Sequence, residues 1–314
     1  MPAASAFPTT SIKMLLVGKP GTGKTGGLIS ILLDDPEARL FVLNYDGANF
    51  GTLVNVATYD PATKARRPNA DELLSRIQYY SFRDKIGQIN GVPWVTGIPT
   101  AFQELGRKLN DWGDGFGGLM SWGPKDWLII DSVSALCECA LRYAAQQGGR
   151  LNKRLSFEDY GEAIGRLSLI LEMINDEAVT ANVCAITHIR YIGDLESGKD
   201  DKTGKPKELE ALPNALGQKL PQEIGRYFNN IIQVGTLGEG PGTQRWIFTK
   251  PQGQLQLRNS NPGAVKDRYP LATGMAELVR DLRSLPSGAK PATPPPGAPA
   301  PTPATGNPAP APTV

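Results

Sequence analysis

Eight consecutive residues of this chain form a candidate phosphate-binding loop, Gly18-Lys19-Pro20-Gly21-Thr22-Gly23-Lys24-Thr25, which fits the pattern G-x-x-x-x-G-K-[ST]. Glycines let the backbone fold around a triphosphate so that N–H groups point inward, at a helix N-terminus whose dipole favours negative charge. Lys24 is expected to reach the β- and γ-phosphates, and the Thr25 hydroxyl is expected to bind Mg²⁺. The segment, extended to Gly26, therefore predicts a site for a nucleoside triphosphate.

The elements on either side of this loop agree with that interpretation. Residues 12–17 are mostly apolar and predict a buried strand, and residues 26–33 predict a short helix that ends before Asp34-Asp35-Pro36. The alternative is a glycine-rich turn that fits the pattern by chance. The strand before the segment and the helix after it argue against that alternative.

Along the whole chain, apolar strand-like runs alternate with helical patterns. This alternation predicts an α/β fold with a mostly parallel central sheet flanked by helices. Strands are predicted at residues 12–17, 40–45, 77–82, 127–130, 183–187 and 230–234, with a C-terminal β-hairpin formed by 244–249 and 255–258. Helices are predicted at residues 100–112, 132–146, 157–175 and 274–282.

A candidate metal ligand follows the fourth of these strands. Trp127-Leu128-Ile129-Ile130 is an apolar run that ends in the carboxylate of Asp131. Ligands of open α/β folds bind at the carboxyl ends of the strands, so Asp131 is predicted to hold Mg²⁺ together with Thr25. An apolar strand that ends in Asp is common by itself, and the phosphate-binding loop upstream makes the interpretation specific.

A carboxylate for orienting the attacking water is also needed for hydrolysis. Asp46, which closes the strand at residues 40–45, is the first candidate. Glu138 is the second, but it lies two turns into the helix after Asp131. The alternative for Asp46 is a turn-forming role in Asp46-Gly47.

His188 is the single histidine of the chain and ends the strand at residues 183–187. Its position on the same sheet edge as Asp131 predicts a sensor of the γ-phosphate, a polar group whose hydrogen bond changes when that phosphate leaves. A hydrogen-bonded structural histidine is the alternative. The predicted catalytic set is therefore Lys24, Asp46, Asp131 and His188.

Composition limits the classes of partner and of site. The net charge is +2, so binding of nucleic acid would depend on local patches and not on a global field. Cys137, Cys139 and Cys184 lack the spacing of metal ligands and are predicted to be reduced thiols. No stretch has the length of a membrane span, and no signal peptide is recognised, which predicts a soluble cytoplasmic protein without a membrane partner.

The predicted domain organisation has three parts. Residues 1–10 are an N-terminal extension, and residues 11–285 form one ATPase domain in which residues 51–125 look like an insertion. Residues 286–314 are rich in proline and alanine and are predicted to be a disordered tail, either a solubilising extension or a flexible tether.

The order of these motifs resembles that of the RecA-like recombinase ATPases, most closely the phage proteins that act as ATP-dependent single-strand annealing proteins. Four segments carry the resemblance: residues 18–25, the strand end at Asp46, residues 128–136, and Thr187-His188-Ile189-Arg190. The third is the most specific, because an Asp-Ser pair followed by Val-Ser-Ala-Leu is typical of the recombinase core. A phage origin would place the protein in the cytoplasm of a bacterial host.

This resemblance implies an ATPase that uses ATP and Mg²⁺. Members of the family usually carry a water-activating Glu where this chain has Asp46. Asp is one methylene shorter, so slow, switch-like hydrolysis is expected. The sensor is often Gln in the family, and His188 matches the variant found in shorter relatives.

The family also implies two DNA-binding loops, which correspond to residues 148–156 and 191–209. Both loops are rich in Lys and Arg, which release phosphate counterions, and Tyr191 is suited to stack on a base. Acidic residues nearly cancel the charge of the second loop, so a solvated loop of mixed charge is the alternative. The candidate DNA-binding residues are Arg150, Lys153, Arg154, Arg190, Lys199 and Lys202.

RecA-like ATPases bring a basic residue from one subunit to the γ-phosphate of the next. The candidates for such trans-acting fingers are Lys250, Lys266 and Arg268, which follow the last predicted strands. A cation there would stabilise transition-state charge and couple hydrolysis to assembly. Ordinary surface residues are the alternative for all three.

The leading hypothesis is a RecA-like ATPase that binds single-stranded DNA as a homo-oligomer, ring or filament, and promotes annealing or recombination. A single-strand binding protein is a further predicted partner. One alternative is a ring helicase or packaging motor, which would usually carry an extra domain. Another is a regulatory ATPase that binds no DNA, which would explain the near-neutral charge.

Overall fold

The computed structural model describes residues 11–47, 50–192, 210–238, 243–251 and 255–284. The predicted extension at residues 1–10 and the predicted tail at 286–314 lie outside these ranges, as do Lys199 and Lys202. The strands of the described part are β1 (Lys13–Val17), β2 (Arg39–Asn44), β3 (Ile77–Ser81), β4 (Ile86–Ile89), β5 (Val92–Val95), β6 (Asp126–Asp131), β7 (Asn182–Thr187), β8 (Ile189–Ile192), β9 (Glu210–Pro213), β10 (Asn230–Leu237), β11 (Gln244–Phe248) and β12 (Arg268–Pro270). The α-helices are α1 (Lys24–Gly27), α2 (Ile29–Asp34), α3 (Phe50–Thr58), α4 (Ala70–Ser75), α5 (Ala101–Asn110), α6 (Val133–Gln147), α7 (Phe157–Ile174), α8 (Lys219–Glu223) and α9 (Leu271–Arg283).

Eight of these strands form one sheet, in the order β12-β11-β10-β1-β7-β6-β2-β3. The strands from β10 to β3 are parallel to their neighbours, and β11 and β12 add an antiparallel edge. The predicted α/β class and the mostly parallel sheet flanked by helices are therefore confirmed.

Both faces of the sheet are covered, which explains why its central strands are continuously apolar. Along β6, Leu128 and Ile130 enter the core that contains α5, α6 and α7, whereas Trp127 and Ile129 enter the core on the opposite face. The second core is completed by α2, α3, α4 and α9. Successive side chains of a strand point to opposite faces of the sheet, so each central strand contributes to both cores.

The register of the parallel strands brings the predicted site residues to one edge. Val17 at the end of β1 is paired with Thr187 at the end of β7, and Asp131 of β6 is paired with Ile186 of β7. Asn44 of β2 is in turn paired with Asp131. The residues that follow β1, β2 and β7 therefore lie beside Asp131, at the carboxyl ends of four neighbouring strands.

Helices α6 and α7 begin at serines that act as N-caps. The Ser132 hydroxyl accepts a hydrogen bond from the N–H of Ala135, at 3.3 Å. Ser156 and Asp159 form a reciprocal capping box at the start of α7. Each cap satisfies N–H groups that have no partner within the helix, so both helix starts are set by local sequence.

The insertion-like region 51–125 contributes to both the core and the surface. Its strand β3 joins the main sheet beside β2, as predicted for residues 77–82. Strands β4 and β5, which were not predicted, form a separate two-stranded sheet that turns at Asn90 and Gly91, both with positive φ. The side-chain amide of Asn152 fastens this hairpin to the loop after α6 by two 2.8 Å hydrogen bonds with the backbone of Val95.

The predicted C-terminal hairpin is only half correct. β11 forms, but its antiparallel partners are β10 and β12 and not residues 255–258. Arg258 instead makes an isolated bridge to Ile231, near the start of β10. The guanidinium of Arg258 donates to the carbonyl oxygens of Gly225 and Phe228, which ties its segment to the region that precedes β10.

The three cysteines are free and buried, and burial raises the pKa of Cys137 and of Cys139 to about 12. Among the described residues, no three His, Cys, Asp or Glu side chains are grouped so that they could hold a metal ion. Within the same part of the chain, no helix is both long enough and apolar enough to cross a bilayer.

Candidate functional site

The loop between β1 and α1 has a shape that depends on its glycines. Gly21 and Gly23 have φ angles of +76° and +92°, a region that other residues rarely adopt. A Cβ atom on Gly18 would lie 2.4 Å from the carbonyl oxygen of Val234, so no side chain fits there. At Gly21, by contrast, a Cβ would meet no atom within 4 Å. The loop is therefore an open cradle that is fixed by backbone conformation.

Other residues of the loop make contacts within it and with the neighbouring elements β8 and α3. The Thr22 hydroxyl donates to the carbonyl oxygen of Lys19, at 2.9 Å. The Lys19 ammonium lies 5.7 Å from the centre of the Tyr191 ring, at the start of the β8–β9 hairpin. Gly26 faces α3, where an added Cβ would come within 3.2 Å of Val56.

Lys24 is buried inside this cradle. Its Nζ donates to the carbonyl oxygens of Gly18 and Lys19, at 2.8 and 2.9 Å. Desolvation lowers the pKa of Lys24 to about 8, against the opposing effect of Asp131 and Asp46. The amine is therefore a poorly solvated cation held by neutral carbonyl groups, and an anion in the loop would stabilise its charge.

Thr25 and Asp131 meet at the floor of the site. The Thr25 hydroxyl donates to Oδ2 of Asp131, at 2.6 Å. Desolvation raises the pKa of Asp131 to about 6, although the hydrogen bond from Thr25 acts in the opposite direction. Hydroxyl and carboxylate oxygens are ligands that Mg²⁺ prefers, so this pair fits the predicted metal-binding role.

Asp46 is held at the same edge by two side chains. Its Oδ1 accepts a hydrogen bond from the hydroxyl of Ser132, at 2.7 Å, and its Oδ2 lies 3.3 Å from Nε2 of His188. Desolvation would raise the pKa of Asp46, but the contacts with His188 and Ser132 outweigh it and lower that pKa. Nδ1 of His188 is buried and has no hydrogen-bond partner among the described residues. The structure thus brings together all four residues of the predicted catalytic set.

These residues line a cleft of about 420 Å³. Glu138, the second candidate for the water-activating carboxylate, does not line it and contacts Arg142 one turn along α6, at 3.2 Å. Two residues that the sequence did not predict also line the cleft, Thr52 of α3 and Arg245 of β11. No motif marks either residue, since both reach the cleft through tertiary packing of elements outside the phosphate-binding loop.

The candidate trans-acting fingers lie outside the cleft, on the antiparallel edge of the sheet. Lys250 is 2.6 Å from Asp267, and Lys266 is 3.0 Å from Glu277. The Arg268 guanidinium lies over the ring of Trp246, 4.7 Å from its centre. All three residues therefore have partners within their own chain, and their predicted contact with the γ-phosphate of a neighbouring subunit stays a hypothesis.

The candidate DNA-binding residues divide into two groups. Lys153 donates to the carbonyl oxygen of Gly149, and Arg190 contacts the carbonyl oxygen of Gly217. Neither has an acidic partner among the described residues. Arg154 is exposed beside Lys153.

Arg150 behaves differently. Its guanidinium makes a two-pronged contact with Asp159, at 2.8 and 2.9 Å, and this contact holds the pKa of Asp159 at about 2. It also lies 3.4 Å from Glu158. Arg150 therefore braces the capping box of α7, a role that the sequence did not reveal.

A larger cavity, of about 640 Å³, lies beside α8 and contains none of the predicted site residues. Its walls mix apolar and polar residues, and its charged side chains already have partners: Arg226 lies 3.8 Å from Glu223, and Arg258 is held by backbone carbonyls. The chemistry of the described part of the chain is therefore concentrated in the smaller cleft.

No protein-family model matches the chain, and no curated protein is similar to it in sequence. Among solved structures, it is similar to a KaiC-like protein from the hyperthermophilic archaeon Pyrococcus horikoshii OT3, with a TM-score of 0.39, 14% identity, and coverage of 84% of this chain and 86% of that one. It is also similar to the RadB recombinase, with a TM-score of 0.38, 15% identity, and coverage of 78% and 86%. Likeness this distant assigns no activity, so function has to be argued from the cleft itself.

Proposed function

We propose that this chain is a Mg²⁺-dependent ATPase whose nucleotide state controls binding to single-stranded DNA. The observation that carries the nucleotide part is the convergence of Lys24, Thr25, Asp131, Asp46 and His188 on one cleft. The donor set fits the ligand: a cradle opened by glycines, a poorly solvated amine, and a hydroxyl–carboxylate pair suited to a hard cation.

Each of these residues has a defined task in the proposed reaction. Lys24 neutralises phosphate oxygens, and Thr25 with Asp131 holds the metal, which supplies positive charge to the phosphates when it is bound. Asp46 orients the attacking water and accepts its proton. Because the contacts with His188 and Ser132 lower the pKa of Asp46, it is a weak base, which favours slow turnover.

The DNA part of the proposal rests on two segments that lead away from the cleft. His188 lies between β7 and β8, and β8, which pairs with β9, carries Arg190 and Tyr191. Helix α6 leads into the loop that carries Lys153 and Arg154. Cations near an exposed aromatic ring suit phosphates and unstacked bases, which supports single-stranded DNA as the partner. A homo-oligomer that anneals complementary strands is the form of the activity that we propose.

The nucleotide part is tested by binding and turnover of ATP with Lys24→Ala. We expect wild-type protein to bind ATP and hydrolyse it slowly in Mg²⁺, and Lys24→Ala to lose both properties. Lys13→Met is the matched control, because Lys13 is another buried lysine, at the opposite end of β1. Normal turnover by Lys24→Ala would exclude the proposed site.

The DNA part is tested by fluorescence anisotropy of a labelled oligonucleotide over a range of salt concentrations, with and without Mg²⁺ and ATP. Replacing Lys153 and Arg154 together with alanine should make the plot of log binding constant against log salt concentration less steep, by about 1.4 in slope. The matched control removes Lys64 and Arg66, which are exposed on the connection between α3 and α4. An unchanged slope would exclude the loop, and a wild-type protein that binds no oligonucleotide would exclude DNA as the partner.

A further inference from the structure

Arg245 reaches the nucleotide cleft from a part of the sheet that carries no nucleotide-binding motif. Val17, the last residue of β1, is paired with Gln233 of β10, and β10 continues beyond that point. Three residues further on, Thr236 is paired with Arg245 of β11. Arg245 therefore stands about 10 Å beyond the end of β1, at the level of the phosphate-binding loop.

The Arg245 side chain lies over this loop. A Cβ atom on Gly23 would come within 3.3 Å of its Nη1 and 3.5 Å of its Cδ. Arg245 has neither an ion pair nor a side-chain hydrogen bond with any described residue. By contrast, Lys250 and Lys266, the nearby lysines on this edge of the sheet, are both paired with carboxylates. Within the described residues, this exposed guanidinium beside the cradle therefore has no acidic partner.

The cleft also has two chemically different ends. Asp131 ends β6, and Asp46 and His188 follow β2 and β7, all on one side of β1. Arg245 stands on the other side, beyond β10. The end with Asp131 and Thr25 suits the metal and the outermost phosphate. The opposite end carries the guanidinium of Arg245, which has no ion pair in the described part of the chain and suits the phosphates nearer the nucleoside.

We propose that Arg245 binds the inner phosphates of the nucleotide in its own subunit, as a second cation beside Lys24. This inference rests on the proposed nucleotide site and adds to it a residue that acts in cis. It also separates Arg245 from Lys250, Lys266 and Arg268, whose predicted role is in a neighbouring subunit. A guanidinium offers two parallel donors to phosphate oxygens, which Lys cannot reproduce.

The test is calorimetric binding of ATP, ADP and inorganic tripolyphosphate to wild-type protein, Arg245→Ala and Arg245→Lys, in Mg²⁺ and in EDTA. We expect Arg245→Ala to weaken all three by about 10- to 100-fold, with Arg245→Lys between it and wild type. Arg107→Ala is the matched control, because Arg107 is an exposed arginine on α5 that pairs with Glu104 and does not line the cleft. Equal affinities for wild type and Arg245→Ala would overturn the inference while leaving the nucleotide site intact.

Two further results would also count against it. A loss confined to ATP and ADP, with tripolyphosphate unaffected, would mean that the guanidinium contacts the nucleoside and not the phosphates. Restoration of tight ATP binding when Arg245→Ala is mixed with Lys24→Ala would mean that Arg245 acts on a neighbouring subunit. A wild-type protein that binds none of the three ligands would instead refute the proposed function.

Discussion

Asp131 is expected to destabilise the metal-free protein, because its carboxylate is buried at the site where we propose that Mg²⁺ binds. The residue is only 2% exposed, and desolvation raises the pKa of its carboxyl group from 3.8 to about 6. The folded chain therefore holds this proton more tightly than the unfolded chain, so the group favours folding below pH 3.8 and that contribution is lost as the pH rises through about 6. The shift corresponds to about 3 kcal/mol at neutral pH.

Asp131→Asn keeps the volume of the side chain and an oxygen for the Thr25 hydroxyl, but it removes the charge. We expect the variant to raise the melting temperature of the metal-free protein by about 4–8 °C near neutral pH. The difference should shrink as the pH falls below about 6, where Asp131 is itself protonated. Asp126→Asn is the matched control: Asp126 lies on the same strand and pairs with Arg39, at 2.8 and 3.1 Å, so its loss should destabilise.

The assay is thermal unfolding followed by circular dichroism in EDTA, over a range of pH, and then with Mg²⁺ and ATP. A bound ligand stabilises the folded state, so Mg²⁺ and ATP should raise the melting temperature of the wild-type protein. The same addition should raise the melting temperature of Asp131→Asn much less. A variant that melts below wild type in EDTA near neutral pH would refute the electrostatic reasoning. A difference that does not change with pH would do the same.

Three further predictions concern residues outside the cleft. Asn152→Ala should release the β4–β5 hairpin and speed proteolysis within it; an unchanged cleavage rate would contradict the role of the two 2.8 Å contacts with Val95. Burial lowers the pKa of Lys13 to about 8, so the stability of the wild-type protein should rise from about pH 8 toward pH 10. The melting temperature of Lys13→Met should rise less over the same range of pH. An identical rise in both proteins would refute this assignment. Arg150→Ala should lower the melting temperature and leave the salt slope of oligonucleotide binding unchanged; a flatter slope would place Arg150 on the DNA.

The sequence was sufficient to predict that Asp46, Asp131 and His188 lie close together, because parallel strands impose a simple geometry. Asp131 ends an apolar strand, and Asp46 and His188 closely follow the ends of two others. The carboxyl ends of parallel strands meet at one edge of the sheet, so the strand pattern alone brings these side chains together.

Arg245 and Arg150 could not be assigned from sequence for a different reason. The position of Arg245 depends on the antiparallel register between β10 and β11, which aligns it with Thr236 and which no local pattern specifies. The ion pair between Arg150 and Asp159 spans nine residues across a helix start, and a charge in a loop is ordinarily expected to face solvent. Both residues were placed by tertiary packing and not by local propensity.

Asp46 connects the cleft to both segments that carry the DNA-binding candidates. This connection is a route by which the bound nucleotide would control oligonucleotide binding. Its Oδ1 contacts Ser132, the N-cap of α6, and its Oδ2 contacts His188, where β7 passes into β8. Helix α6 spans about 22 Å, so a rigid-body shift of its first turn would also move the loop after it.

Asp46→Asn should therefore uncouple the two activities that we propose. Lys24, Thr25 and Asp131 remain in place, so ATP affinity should stay close to that of wild type. The amide is a weaker acceptor for Ser132 and His188, and oligonucleotide affinity should no longer respond to ATP. Comparing oligonucleotide affinity with and without a slowly hydrolysed ATP analogue separates this coupling from loss of turnover. A variant whose oligonucleotide affinity still changes with nucleotide as in wild type would show that the signal leaves the cleft by another route.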